Sequence, residues 1–325
     1  KVLGLELDSK LFPDFPRIAM GSNAWASGSK KSAGGAPILS NDPHLDARHL
    51  PGFWHPMGLI TPDFRAVGGA FPGSPGFGLG RTSHIAFGAT NGYSDSIDLY
   101  IEEVDPANPD HYIEGDQSLP FSIRDEEILI KDKEVDDGFR RETLRVRVTK
   151  RGPVISDHGM SLSSERDARI ANESADPDED SGMERVLSLR WSVPEMLLDE
   201  TGVRRLLLAT SVAEAIDAIG TIPTPLNYIV VDYQGNIARK ASGYVPLRVR
   251  GDGSQPIGLM VEDNWNGRIP AEEMPLDLNP ERDWVGSANH RVTESDYPYA
   301  YTTYASPSWR YRRLMELFEA KSVTA

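Results

Sequence analysis

Helical periodicity is confined to two segments of this chain, and most of the remainder reads as strand and turn. In ETGVRRLLLATSVAEAIDAIG (residues 200–220) apolar residues recur every three or four positions. The run stops at Gly220, ahead of a proline-containing stretch, so one helix is expected there. The second segment is PSWRYRRLMELFEAK (residues 307–321), where Pro307 suits a first turn and Leu314 and Phe318 share a face. By contrast SHIAFGAT, SIDLYIEEV, EEILIKD, TLRVRVTKRGPVIS, LSLRW and NYIVVDYQGNIARKASG are β-branched or alternating, with Gly, Pro or Asp between them. YQGN is a hairpin turn. Strands in number with few helices predict an α+β protein built on large sheets. No internal repeat is visible.

The chain has 325 residues, enough to bury a sizeable core. A net charge of −15 argues against a nucleic-acid partner, because an acidic surface repels phosphate. Part of that charge lies in SSERDARIANESADPDEDSGMER (residues 163–185), read as a solvated loop inserted within one domain. There is no cysteine, which excludes disulfides, thiolate catalysis and Cys-ligated zinc. No run of apolar residues is long enough for a transmembrane helix, so no membrane partner is expected. KVLGLELDSK lacks the apolar stretch of a secretory signal, and the chain is expected to begin within a longer protein.

Seven histidines are present and none forms an HExxH pair. His44, His49 and His55 fall close together in DPHLDARHLPGFWH, but the Pro and Gly among them prevent a shared helix face for zinc. GFGLGRTSHIAFG is glycine-rich yet places Ser83 where a dinucleotide fingerprint needs its third glycine. There is no G-x-S-x-G elbow and no S-x-x-K. That leaves GSNAW (residues 21–25). A serine hydroxyl needs a base to take its proton. If the Gly21–Ser22 bond is cut, the new α-amine lies beside the hydroxyl and, titrating at about 7.7–8.0, can serve as that base. Read alone, Ser22 is equally a turn serine.

Eight stretches then occur in order: SNAW, ILSNDPHL, FPGSPGFGLGRTSHIAFGATNGYSDSIDLYIEE, KRGPVIS, LSLRW, TPLNYIVVDYQGNIARKASGYVPLR, SANHRV and WRYRRLMELF. Together they resemble the penicillin acylase (penicillin amidase) family of N-terminal-nucleophile hydrolases over nearly the whole chain. His44, twenty-two residues after Ser22, makes the resemblance closer to the cephalosporin acylase and acyl-homoserine-lactone acylase branches than to penicillin G acylases, which tend to carry Gln there.

The resemblance implies an αββα sandwich, partial and β-rich, with residues 1–21 as the end of a spacer and 22–325 as the N-terminal part of a β-chain cut from a longer precursor. It implies that Ser22 is the nucleophile and that His44 positions or tunes its amine. The backbone N–H of Asn91 and the side-chain amide of Asn289 would form the oxyanion hole. His290-Arg291-Val292 after that asparagine departs from the usual family sequence. Arg310 matches, loosely, an arginine that faces the nucleophile in some members. Asp95, the Ile97 carbonyl and Asp98 match ligands of a structural Ca²⁺, although SDSID is equally an exposed acidic turn. No organic cofactor is implied. The expected activity is hydrolysis of a linear amide, with an α-chain of the same precursor as partner and a periplasmic or extracellular location. A β-lactam side chain, an acyl-homoserine lactone and other amides stay open as substrates. Phe53, Trp54 and Phe71 are candidates for an apolar acyl site and equally for core. The alternative is an unprocessed or truncated homologue without activity, serving as a structural or binding piece.

Overall fold

The computed structural model describes residues 6–7, 21–45, 52–73, 76–158, 160–161, 183–195, 202–258 and 264–320. The acidic stretch falls almost wholly outside these, as does His49. The chain divides into two compact units, one drawn from residues 18–96, 192–247 and 267–325, the other from 1–17, 97–191 and 248–266.

The first unit begins with β1 (Gly21–Ser27), β2 (Ile38–His44), β3 (His55–Ile60), β4 (Arg65–Ala70), β5 (Leu79–Thr82) and β6 (Ile85–Asn91). The second unit follows with β7 (Ile97–Val104), β8 (His111–Glu114), β9 (Gln117–Pro120), β10 (Ser122–Lys131), β11 (Phe139–Val148) and β12 (Arg185–Trp191). The chain then returns to the first unit with α1 (Gly202–Leu208), α2 (Val212–Ile219), β13 (Leu226–Asp232), β14 (Ile237–Ala241), β15 (Leu276–Leu278), β16 (Trp284–Ser287) and α3 (Trp309–Ala320).

In the first unit a seven-stranded sheet has the order β15-β14-β13-β6-β5-β4-β3, and a three-stranded sheet the order β16-β1-β2. Every pairing in both is antiparallel. Alternation decides how they stack. Ala24 and Ala26 of β1, both fully buried, meet Ile229 and Val231 of β13, Ile237 of β14 and Val285 of β16 in a core between the sheets. Small alanines on one side let the sheets approach closely against the branched residues opposite. The other face of the large sheet buries Phe87, Tyr228, Val230 and Ala238 against Leu206 of α1 and Val212, Ala215 and Ile219 of α2. On the outer face of the small sheet, Phe318 of α3 stacks on Trp284 at 4.7 Å and meets Trp25 edge-on at 5.2 Å. The layers are therefore helix, sheet, sheet, helix, the αββα order expected. GFGLGRTSHIAFG supplies β5 and β6 of the large sheet, so its glycines serve strand packing: a Cβ on Gly80 would lie 2.6 Å from the Val67 carbonyl oxygen.

The helix expected over 200–220 is two helices. Ser211 caps α2, its hydroxyl accepting from Glu214 N at 3.2 Å, while the Glu214 carboxylate accepts from Thr210 N at 2.8 Å. The Ser211 cap, with Glu214 reaching back to the residue before it, starts a new helix where periodicity alone ran on.

In the second unit a four-stranded antiparallel sheet runs β9-β8-β7-β12, and β10 and β11 form a long, mostly exposed ribbon. Buried charges are paired: Arg151 donates to Glu102 at 2.7 Å and to Glu114 at 2.9 Å, and Arg248 donates to Asp98 at 2.9 Å.

Candidate active site

Ser22 is the second residue of β1, 7% exposed, in the small sheet of the first unit. Its position follows from pairing: Gly21 opposes His44 and Ser22 opposes Pro43 across the β1–β2 ladder. The Ser22 hydroxyl donates to the carbonyl oxygen of Gly21 at 2.7 Å, so this oxygen lies at the peptide bond that precedes it. The Ser22 N–H donates to Oδ1 of Asn289 at 2.5 Å.

Asn289 sits two residues beyond β16, the strand paired to β1. It takes φ of +63°, the left-handed region that asparagine tolerates better than other side-chain residues. Its carbonyl oxygen accepts from Ser306 N at 2.8 Å, which helps hold that turn. Its Nδ2 donates to the Asn91 carbonyl oxygen at 2.9 Å, leaving the second amide proton for another acceptor. Asn91 ends β6. Antiparallel strands turn alternate residues to alternate edges, and Gly92 N bonds toward the β13 side, to Pro225 O at 3.0 Å. Asn91 therefore turns its N–H and C=O to the opposite edge, the edge at which Asn289 bonds it.

Arg310, in the first turn of α3, closes the cluster. Its Nη1 donates to Ser22 O at 2.6 Å and to Asn23 Oδ1 at 2.8 Å, and its Nη2 donates to Asn289 Oδ1 at 3.0 Å. The rigid guanidinium fork suits three acceptors held in one region. Gly21 leaves it room: a Cβ there would stand 3.0 Å from Arg310 Nη2 and 3.4 Å from His44 Nδ1.

His44 does not bond Ser22 among the described residues. Its Nε2 lies 2.9 Å from Asp42 Oδ2 and 3.3 Å from Asn23 Nδ2, so it meets the residue after Ser22. Hydrogen bonding to His44 holds the Asp42 carboxyl below the usual carboxylate range. His290, the residue at the departure from family sequence, stacks on Tyr311 with ring centroids 3.7 Å apart and accepts from Ala288 N at 3.4 Å. Burial, with Arg239 and Arg310 nearby, pushes its pKa down to about 4.

The structure thus brings Ser22, Asn91, Asn289 and Arg310 together, with His44 one residue removed. Asn23, which bridges Arg310 and His44, was not singled out by sequence; only its place in SNAW marked it. Phe71 stacks on Trp54 at 4.6 Å, and Phe71 and Phe53 are 39% and 42% exposed, so neither phenylalanine is core.

The calcium donors do not fit an ion as they stand. Both oxygens of Asp98 accept from Arg248 Nε, at 3.1 and 2.9 Å, and Oδ2 also accepts from Trp265 Nε1 at 2.5 Å. A guanidinium there already balances the carboxylate charge. Asp95 accepts from Thr303 at 3.1 Å. Among the described residues no three His, Asp or Glu side chains gather as metal ligands, and no helix is long and apolar enough to cross a membrane.

Comparison with known proteins agrees with this architecture. The chain is 28% identical over 312 residues to penicillin acylase 2 proenzyme of Pseudomonas sp. (strain SE83), covering 94% of this chain and 36% of that protein. It is 27% identical to acyl-homoserine lactone acylase QuiP of Pseudomonas aeruginosa, covering 89% of this chain and 32% of that protein. It spans, then, about a third of the length of these relatives. The thermostable penicillin G acylase from Alcaligenes faecalis superposes with a TM-score of 0.74 at 20% identity, over 93% of this chain and 50% of that one. The model of the penicillin amidase family matches residues 2–325, and the chain belongs to that family.

Proposed function

We propose that this chain carries the nucleophile of an acylase that hydrolyses linear amides, and that Ser22 is first released by self-cleavage of the Gly21–Ser22 bond. The observation that carries the reading is the Ser22 hydroxyl hydrogen-bonded to the Gly21 carbonyl oxygen, with Asn289 accepting from the Ser22 N–H and Arg310 donating to the Ser22 carbonyl oxygen.

In maturation, Ser22 Oγ attacks the Gly21 carbonyl carbon as its proton passes to the departing Ser22 nitrogen. The C–N bond breaks and an ester joins Gly21 to Ser22 Oγ. Water then hydrolyses the ester, leaving a carboxylate on Gly21 and a free α-amine on Ser22. In catalysis that amine accepts the Oγ proton as Oγ attacks the substrate carbonyl. Asn289 Oδ1, which accepts from the Ser22 nitrogen before cleavage, would hold the amine after it. The Asn91 N–H and the second Nδ2 proton of Asn289 would stabilise the oxyanion. Collapse expels the substrate amine with the proton, and water releases the acyl group from Ser22. His44, tied to Asp42 and Asn23, would position the β1 end that carries the amine.

Relatives named penicillin acylase and acyl-homoserine lactone acylase support an amide with an acyl side chain as substrate. An α-chain partner and a location outside the cytoplasm belong to the same proposal. The test is sulfonylation by phenylmethylsulfonyl fluoride followed by peptide mapping. A single adduct on the peptide beginning at Ser22, absent in Ser22→Ala, is expected. Amide hydrolysis retained in Ser22→Ala would overturn the reading.

A further inference from the structure

We infer that Asn41 is a positioning residue for the proposed reaction, a side-chain fork that sets the spacing between the strand bearing Ser22 and the strand bearing the oxyanion donor Asn91. The inference rests on the reading of Ser22 as nucleophile.

Asn41 lies in β2, opposite Ala24 in the β1–β2 ladder. Its Nδ2 donates to Asn23 O at 3.0 Å and to Ala89 O at 3.0 Å, and its Oδ1 accepts from Ala89 N at 3.1 Å. One amide group thus holds the backbone next to Ser22 and the backbone two residues before Asn91.

The large sheet provides the opening for this. Strand β5 pairs with β6 only at Gly80↔Phe87 and Arg81↔Ala86. From Gly88 onward the β5-side edge of β6 has no ladder partner from β5, yet alternation turns the N–H and C=O of Ala89 and Asn91 to that edge. The Asn41 amide pairs both groups of Ala89, as a strand residue would. Its place is shaped for it: a Cβ on Gly88 would lie 2.7 Å from both Cβ and Oδ1 of Asn41. At Asn91 the same edge is met by Asn289. A second link between the sheets, Thr90 Oγ1 with Ser287 Oγ at 2.7 Å, ties β6 to β16 and leaves the backbone of Asn23 untouched. Asn41 therefore joins nucleophile to oxyanion hole, whereas Thr90 and Ser287 join the two strands that carry the hole. Small displacements of this spacing cost rate steeply, because the attack needs aligned atoms.

The variants are Asn41→Leu, which keeps the volume and removes all three bonds, and Asn41→Asp, which keeps the shape and sets a carboxylate against two carbonyl oxygens. In the full chain, cleavage at Gly21–Ser22 is followed by intact mass at a temperature well below the melting transition, and kcat and KM are read on the cleaved protein. Both variants are expected to slow cleavage at least about tenfold and to lower kcat with KM little changed. The same substitutions in a Ser22→Ala background, where no cleavage can occur, report whether the fold persists. If a variant does not fold there, Asn41→Ser, which retains a shorter hydroxyl donor, replaces it. Cleavage and kcat at wild-type values in a folded variant with a lowered melting temperature would overturn the inference, since that is what a purely structural side chain does. An unaltered chain that never cleaves would instead overturn the nucleophile reading, so the two failures are distinguishable.

Discussion

Arg310 gathers Ser22 O, Asn23 Oδ1 and Asn289 Oδ1 onto one planar cation, and this makes it the most demanding side chain of the site after Ser22 itself. Lysine carries the same charge without the fork, so Arg310→Lys is expected to slow Gly21–Ser22 cleavage by about tenfold or more at unchanged melting temperature, measured as loss of intact mass with time. Asn289→Ala removes the acceptor of the Ser22 N–H and the donor to Asn91 O together. It should lower turnover by about 10²–10³, and unchanged turnover would mean that the oxyanion donor lies elsewhere. At this scale the sequence was readable where a motif carried the residue: Ser22, His44, Asn91 and Asn289 each came from a quoted stretch. What it could not convey is direction. The Asn289 amide could be placed at the site from SANHRV, but that its oxygen faces Ser22 N and its nitrogen faces Asn91 O depends on a +63° backbone turn set by the Ser306 contact. Asn23 bonds His44 and Arg310, and Asn41 bonds Ala89 of the other sheet, partners far along the chain that no local pattern announces.

Among the elements, β13 was legible as a β-branched run, LNYIVVD, which is buried at nearly every position because both its faces meet other layers of the fold. The expected single helix failed because a three-to-four periodicity persists across a break if both helices pack on the same sheet face, as α1 and α2 do. The signal that could have found the break is Ser211-x-x-Glu214, a capping-box pattern within the apolar run. Ser211→Ala should cost about 1 kcal/mol, seen as a lower midpoint in urea with no change in cleavage at Ser22. A larger loss is expected between α3 and the small sheet: Phe318, 4% exposed, lies between Trp25 and Trp284, and Phe318→Ala should cost about 3–5 kcal/mol by the same measurement. Because α3 also carries Arg310, this variant is expected to cleave slowly as well, whereas Ser211→Ala is not.

Over the whole molecule, the αββα unit puts the small sheet between α3 and the large sheet, so that every group proposed to act on Ser22 comes from a layer packed directly against β1 or from a strand paired with it. One titration spans that arrangement. His290 has a folded pKa of about 4 against an ordinary 6.5, because burial and two nearby arginines disfavour its charged form. The unfolded chain therefore takes the proton first as the pH falls. His290 costs nothing above pH 6.5, and its contribution makes stability decline from pH 6.5 to 4. His290→Gln should flatten that part of the stability profile, read from urea midpoints at pH 7, 5.5 and 4.5; an identical acid limb in the variant would contradict the assignment. The central claim is that Ser22 cuts the bond before it, and its most direct test is N-terminal sequencing with intact mass of the purified full chain beside Ser22→Ala. The account predicts a polypeptide beginning Ser-Asn-Ala-Trp from the unaltered chain and none from the variant. An unaltered chain that stays whole, or a variant that still yields the same cut, would contradict it.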